Sequence, residues 1–365
     1  MKKIKVLDLY AGCGGLSLGF KNSGYNIETA VEIDKWASET LQKNFPKSEV
    51  FTCSANEFLK KKLKKYDVII GGPPCQGYSI AASNRRKKDD TRNQEYKVFL
   101  KLILEIKPKA ILFENVPEII KFKNSKNQFI VDEIKNVLES AGYFTTATII
   151  NSADFGVPQF RKRFILVGTK KKKYVFPNPS HIEKKNLLYQ SYITLWDAIS
   201  DLPSVKPKQY KEGEVLKYTK KVQNNFQETL KKNNKNLYNH ISMQHTERTI
   251  KKFNEIRNHK TIKKTYDQNH RVLKKDRPSP TITASFYSSF IHPEQNRNLT
   301  AREAARIQTF PDSFTFCGKK TTLSKSLLRK KGIIAELHLD QFNQIGNAVP
   351  VLLSQILSKE LKRFL

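Results

Sequence analysis

The chain has 365 residues, 38% of them hydrophobic, which is enough for one large core and a smaller satellite domain. Its 66 basic and 34 acidic residues leave a net charge of +32, a balance that suits a polyanionic partner, although a lysine-rich proteome gives the same excess. No apolar run reaches the roughly 18 residues of a membrane span, and the start MKKIKVLDLY is too short and polar for a signal peptide.

The first 170 residues alternate short β-rich runs with helical patterns. The runs are IKVLDL (4–9), IETAVEI (27–33), DVII (67–70), AILF (110–113), TATII (146–150) and FILVG (164–168). EYKVFLKLILEI repeats apolar residues at helical spacing, as does FIVDEIKNVLESAG, where Gly142 is a plausible C-cap. This alternation predicts an α/β fold with a doubly wound, mostly parallel sheet.

Loops at the strand ends carry the chemistry. After the first run, DLYAGCGGLSLGF has the spacing Gly12-x-Gly14-Gly15, neither the dinucleotide fingerprint nor a P-loop. It is either a tight turn or a backbone that approaches a nucleotide-like ligand, with Glu32 available to ribose hydroxyls. GGPPCQGYS (71–79) leaves a buried run through two glycines and two stiffening prolines, then presents Cys75. A cysteine is commonly an inert buried apolar residue, but a rigid frame at the carboxyl edge of a sheet also positions a nucleophile. ENVPE (114–118) puts Glu114 and Asn115 at the same edge, as an acid or a loop cap. QFRKRF spaces Gln159, Arg161 and Arg163 alternately, so an extended chain holds them on one side, solvated or aimed into a site.

Residues 170–275 hold 25 Lys/Arg and 9 Asp/Glu, half of the net excess, and lack strong apolar periodicity. They read as a separate basic module. TITASFYSSFI then reads as a strand, and LTAREAARIQTF as a helix with Thr300 and Glu303 in a capping box. Residues 324–340 read as an insertion without an assigned role. VPVLLSQILSKELKRFL is an amphipathic helix beginning after Pro350. Four cysteines show no paired spacing, consistent with reduced thiols in a cytoplasmic protein, and no His/Cys cluster suggests a metal.

Eight motifs in order give the chain a family resemblance over nearly its whole length. DLYAGCGGLSLGF, VEID, GGPPCQGYS, DDTRNQEYKVFLKLI, ENVP, QFRKR, RPSPTIT with the helix LTAREAARIQTFPDSF, and QIGNAVP resemble the DNA (cytosine-5) methyltransferases, bacterial restriction-modification type. The resemblance implies a catalytic and cofactor-binding domain over 1–170, a smaller basic target-recognition domain over 171–290, and a return to the catalytic domain over 291–365. It implies S-adenosyl-L-methionine as cofactor, held by Tyr10, Gly12, Gly14 and Gly15, with Glu32 on the ribose and Ile33 against adenine. Asn347 and Val349 would close that pocket. The family's usual G-D-I motif is replaced by TCSANEF, so Ser54 or Asn56 would take the place of its Asp. Cys75 would attack carbon 6 of a cytosine flipped out of the duplex, Glu114 would hydrogen-bond ring nitrogen 3 and the amine, and Arg163 would stabilise charge at oxygen 2. Arg161, Gln159 and Asn115 complete the implied catalytic set. Gln76, Ser79, Arg85 and Arg86 would face the DNA, although a solvated loop has the same charges.

The implied partners are double-stranded DNA and a separately acting restriction endonuclease, with the enzyme a monomer off the membrane. A tRNA cytosine-5 methyltransferase and an inactive DNA-binding homologue carry the same motifs; an unrelated α/β metabolic enzyme has no use for the basic module. If phosphate contacts dominate, the affinity of the protein for duplex DNA falls steeply as salt rises from about 50 to 200 mM, through counterion release. Fluorescence anisotropy measures this, and a flat response would contradict it.

Overall fold

The computed structural model describes residues 3–74, 94–208, 210–211, 213–258, 270–322 and 325–365. These form two compact units. The first takes residues 1–155, 161–179 and 351–365, the second 156–160 and 180–350.

The first unit is built on a seven-stranded sheet. Its strands are β1 (Lys5–Leu9), β2 (Asn26–Glu32), β3 (Glu49–Thr52), β4 (Val68–Gly71), β5 (Ala110–Asn115), β6 (Phe144–Asn151) and β7 (Lys162–Thr169), in the order β3-β2-β1-β4-β5-β7-β6. All pairings are parallel except those of β7, which runs antiparallel to both neighbours. Strands β1 and β4 are almost wholly buried, as their unbroken apolar runs require of strands covered on both faces. The connecting helices are α1 (Gly15–Asn22), α2 (Lys35–Asn44), α3 (Ala55–Leu59), α4 (Glu95–Ile106) and α5 (Ile130–Ser140). The strand order reverses between β1 and β4. The loops after β1, β2, β4 and β5 therefore leave the sheet at one carboxyl edge, beside the switch point where ligands bind in such sheets.

The last helix, Val351–Leu361, completes this unit by lying across α1. Tyr25 donates its phenol hydrogen to the Ser358 carbonyl at 2.9 Å, and Tyr174 donates to that of Leu357 at 3.2 Å. Gly19 is the point of closest approach. A Cβ there would meet Ser354 Cβ at 2.4 Å and the Gln355 backbone nitrogen at 2.5 Å.

The second unit is mostly loops and short helices around a buried polar scaffold. The helix Ala301–Ile307 begins with the expected capping box, Thr300 Oγ1 accepting the Glu303 N–H at 3.1 Å and Glu303 accepting the Thr300 N–H at 2.8 Å. Its two arginines and Arg297 just before it are fully buried. Arg297 forks onto Glu303 at 2.7 and 2.8 Å, Arg302 donates to the carbonyls of Tyr238, Pro311 and Phe314, and Arg306 bridges Asp201 and Asp312. These bonds tie 297–312 to 198–238. They lie within the unit formed by 156–160 and 180–350. Removing one partner of such a buried pair strands the other and costs about 3–5 kcal/mol.

The segment TITASFYSSFI is not one strand. Hydrogen bonds from Phe286 to Thr283, Ser288 to Ser285 and Ser289 to Phe286 coil it into a short 3-10 turn, leaving only Phe290–Ile291 extended. The turn places Phe286 and Tyr287 against Phe342, each 5.3 Å between ring centroids, and this burial outweighs the β propensity of the run. Residues 325–330 form a short helix and Ile334–Glu336 a single turn. Among the described residues no helix is long and apolar enough to cross a membrane, and no cluster of His, Cys, Asp or Glu could hold a metal ion.

Replacing Gly19 by Val forces a side chain into the last helix. The expected loss is about 1–3 kcal/mol, the usual cost of overpacking. It is read as a lower urea midpoint; a midpoint equal to that of the wild type would contradict this packing.

Candidate active site

Two groups of side chains gather at the carboxyl edge of the first unit. The first surrounds Glu114, the penultimate residue of β5. In the antiparallel register Glu114 lies opposite Ile165, so Arg163, two residues away on β7, falls on the same face. The Arg163 Nε donates to Glu114 Oε1 at 2.8 Å, and both side chains are 13% exposed. Arg161 is buried close by and lowers the Glu114 carboxyl electrostatically. Beneath them Phe99, Phe113 and Phe164 pack edge to face, with centroids 5.6 and 6.5 Å apart, so the backbones flanking Glu114 and Arg163 are fixed from below.

Burial pushes the Glu114 carboxyl up from its ordinary value of 4.5, and the attraction of Arg163 and Arg161 only partly offsets it. The same burial lowers both guanidinium groups, Arg161 well below its ordinary value. The site thus holds a carboxyl that keeps a proton at pH values where a solvated one has lost it.

The residues that leave β4 pack against this carboxyl. A Cβ on Gly71 would lie 2.5 Å from the Leu9 carbonyl oxygen, and one on Gly72 would lie 2.8 Å from Glu114 Oε2. Only glycine admits both approaches, which accounts for the pair in GGPPC. Asn115 donates from Nδ2 to the Pro73 carbonyl at 3.0 Å and accepts the Val116 N–H at 2.8 Å. It therefore ties the β5 exit to the Pro-Pro exit of β4, one residue short of Pro74. Cys75, Gln76, Ser79, Arg85 and Arg86 lie outside the described residues.

The second group is the glycine loop. Tyr10, Gly12 and Gly14 all adopt positive φ (57°, 56° and 93°), and Gly14 and Gly15 open α1. A Cβ on Gly14 would strike Leu41 and Phe45 at 2.8 Å, whereas nothing lies within 4 Å of the Cβ position at Gly12. Glu32 is buried at the end of β2. Its two oxygens each accept one backbone N–H, from Gly12 and Asp34, both at 2.8 Å. A carboxylate oxygen has a second lone pair, so hydroxyl donors can still be accommodated. Beside it Ile33 is 71% exposed, an apolar face without an internal reason to be there. Open space over a glycine, a fixed acceptor and a bare apolar side chain fit a nucleoside-like group. Tyr10 donates its phenol hydrogen to Glu95, 2.8 Å from the carboxylate and 3.0 Å from the carbonyl oxygen, anchoring the loop to the start of α4.

Other expected residues are placed differently. The Ser54 hydroxyl is occupied in a capping box, accepting the Glu57 N–H at 3.1 Å and donating to Glu57 Oε2 at 3.0 Å, and Asn56 is exposed on α3. Gln159 belongs to the second unit. A bond from the Gln159 N–H to the Val157 carbonyl, 2.7 Å, turns the chain at Pro158. Its side chain accepts the Ile282 N–H at 2.8 Å and donates to Gln308 Oε1 at 2.9 Å. Gln308 in turn donates to the carbonyls of Ile345 and Ala348. Residue 308 was not a candidate from sequence, since the helix it follows has the composition of a solvated one. In QIGNAVP, Asn347 is exposed and Val349 buried within the second unit. A Cβ on Gly346 would lie 2.2 Å from the Thr283 carbonyl oxygen, so that position requires glycine.

The family model of the C-5 cytosine-specific DNA methylases matches residues 4–363. The chain is 37% identical to the type II methyltransferase M.DdeI of Desulfomicrobium norvegicum, over 98% of this chain and 88% of that one. It is 32% identical to the type II methyltransferase M1.HphI of Haemophilus parahaemolyticus, over 98% and 86%. Among solved structures, a DNA modification methyltransferase encoded within an E. coli prophage superposes with a TM-score of 0.75 at 27% identity, covering 99% of both chains. The chain belongs to the C-5 cytosine-specific DNA methylase family.

Proposed function

We propose that this protein is the modification enzyme of a restriction-modification system, acting as a monomer in the cytoplasm beside a separate endonuclease. It methylates carbon 5 of a cytosine within a specific duplex sequence. The single observation that carries the chemistry is the Glu114–Arg163 pair, its carboxyl packed against Gly72, three residues before Cys75 in the chain. Residues 171–290 are read as the recognition region on the strength of their charge.

S-adenosyl-L-methionine, held by Tyr10, Gly12, Gly14, Gly15, Glu32 and Ile33, supplies an electrophilic methyl group when bound. Asn347 and Val349, assigned to the same cofactor by resemblance, belong to the second unit. The adenine contact of the missing Asp falls to a backbone group better than to Ser54, whose hydroxyl is occupied.

The chain's own residues perform the activation. The target cytosine leaves the stack at a cost of a few kcal/mol, offset by phosphate and base contacts. The Cys75 thiolate adds to ring carbon 6, and the electron pair of the carbon 5–carbon 6 double bond becomes available at carbon 5. Glu114 donates its proton toward ring nitrogen 3 and accepts from the exocyclic amine, which favours addition. Arg163 orients Glu114 and, with Arg161, supplies positive charge toward oxygen 2. Carbon 5 would take the methyl group, whose electron pair stays on the donor sulfur; the carbon 5 proton then passes to solvent, the thiolate is expelled, and the proton at ring nitrogen 3 returns to Glu114, which restores the aromatic ring.

Incubation with labelled cofactor and a mixed-sequence plasmid, followed by mapping of methylcytosine, tests the reading. Label at one recurring sequence is expected; label in tRNA alone would overturn it. Cys75→Ser is expected to bind the cofactor normally in calorimetry but to lose methylation and the covalent adduct with 5-fluorocytosine duplex. Substantial turnover by that variant would remove Cys75 from the scheme. Because the Glu114 shift is upward, activity that needs its proton falls as pH rises through a value above 4.5. Glu114→Gln should slow turnover by about 10²–10⁴-fold and abolish that falling limb. A limb that persists in the variant belongs to another group.

A further inference from the structure

In the second unit a short helix, Asn225–Lys231, leads into the turn KKNNK and back into an antiparallel pair of two-residue strands, Leu216–Lys217 with Asn236–Leu237. The pairing brings Lys217 alongside residues 235–236. The result is a concavity of about 610 Å³ lined by Lys217, Tyr218, Lys231, Lys232, Lys235 and the two asparagines between.

Its shape is fixed. Lys232 takes φ 48° and ψ −134°, a backbone conformation costly for any residue with a Cβ, and its N–H is held by the Glu228 carbonyl at 2.7 Å. Asn234 donates from both its backbone and its side chain to the Lys231 carbonyl, at 3.1 and 2.8 Å. Lys231 Nζ lies 4.2 Å from the centre of the Tyr218 ring. That ring is pinned by its phenol, which donates to Asp312 in the buried arginine network at 2.6 Å. The Lys217 ammonium donates to Asn236. Among the described residues no carboxylate lines the concavity. Three like charges on a strained, well-bonded turn and a fourth on the neighbouring strand are thus gathered without a lining acid, an arrangement that an external anion stabilises.

On the reading that the enzyme acts on duplex DNA, we infer that this concavity seats the phosphodiester backbone of the duplex, and that it sets affinity and salt dependence without reading sequence. Lysine is a point charge without the planar fork by which arginine recognises guanine, so a wall of lysines recognises phosphate and leaves the base edges to other residues.

The test compares the wild-type chain with Lys217→Gln, Lys231→Gln, Lys232→Gln and Lys235→Gln, combined and singly, by anisotropy with target duplex across a salt series. Each lysine that neutralises a phosphate contributes about 0.9 to the slope of log affinity against log salt. The combined variant should have a slope shallower by about 3.6 and bind at least about tenfold more weakly at low salt, while the mapped methylated sequence stays the same. The fourfold Lys→Arg variant should restore the slope, and thermal melting checks that every variant is folded. An unchanged slope in a folded Gln variant would overturn the inference, as would a change in the methylated sequence. So would saturable displacement of the duplex by inorganic phosphate at fixed ionic strength, which would mark a small-anion site. If the wild type itself fails to methylate DNA, the proposed function falls; if it methylates and the slope is insensitive to these lysines, only the present inference does.

Discussion

A carboxyl and a guanidinium, both mostly removed from water, face each other where β5 meets the one reversed strand of the sheet. Desolvation and Coulomb attraction act on Glu114 in opposite directions, and desolvation prevails. Were Glu114 solvated, burial would not raise its carboxyl; were Arg163 absent, burial would act without that counterweight. The antiparallel direction of β7 matters for this reason. A parallel strand at that position would bring its arginines to the opposite edge of the sheet. The aromatic stack below and the glycine beside the carboxyl both serve to keep the pair where the β4 and β5 loops leave the sheet.

The glycine loop and Glu32 obey a related economy. Glu32 uses one lone pair on each oxygen to fix backbone nitrogens and leaves the others directed by that fixation. The acid is thereby part of the loop's own architecture as well as a receptor for hydroxyls. Positive φ at three of the first five loop residues lets the chain turn tightly enough for this to happen.

Much of the first unit was legible because its strands are continuous apolar runs bounded by glycine and proline, and six of the seven were read near their observed positions. The seventh, β3, was missed: EVFT is an edge strand with no fully buried residue, so periodicity carried little signal. The second unit was harder for a physical reason. Its interior is held by buried arginines, and AREAARIQ has the composition of a solvated helix until the partners at 198–238 and 312 are known. The alternate spacing of Gln159, Arg161 and Arg163 suggested one shared face; the bonds of the glutamine to Ile282 and Gln308 were not legible, because they join segments more than a hundred residues apart. TITASFYSSFI had strand composition and became a turn because Phe342, more than fifty residues later, offered aromatic burial. The residues of the glycine loop and of ENVP were identifiable from type and order alone; the tie from Asn115 to Pro73 was not, since it depends on two loops meeting in space.

The last helix of the sequence lies on α1, the first helix of the sheet unit, and its hydroxyl and carbonyl groups satisfy partners near residues 16–25. More than 300 residues separate the two partners in this packing. The surface of α1 that the helix covers therefore stays uncovered in a nascent chain until residues 351–361 have been made and have folded back onto it.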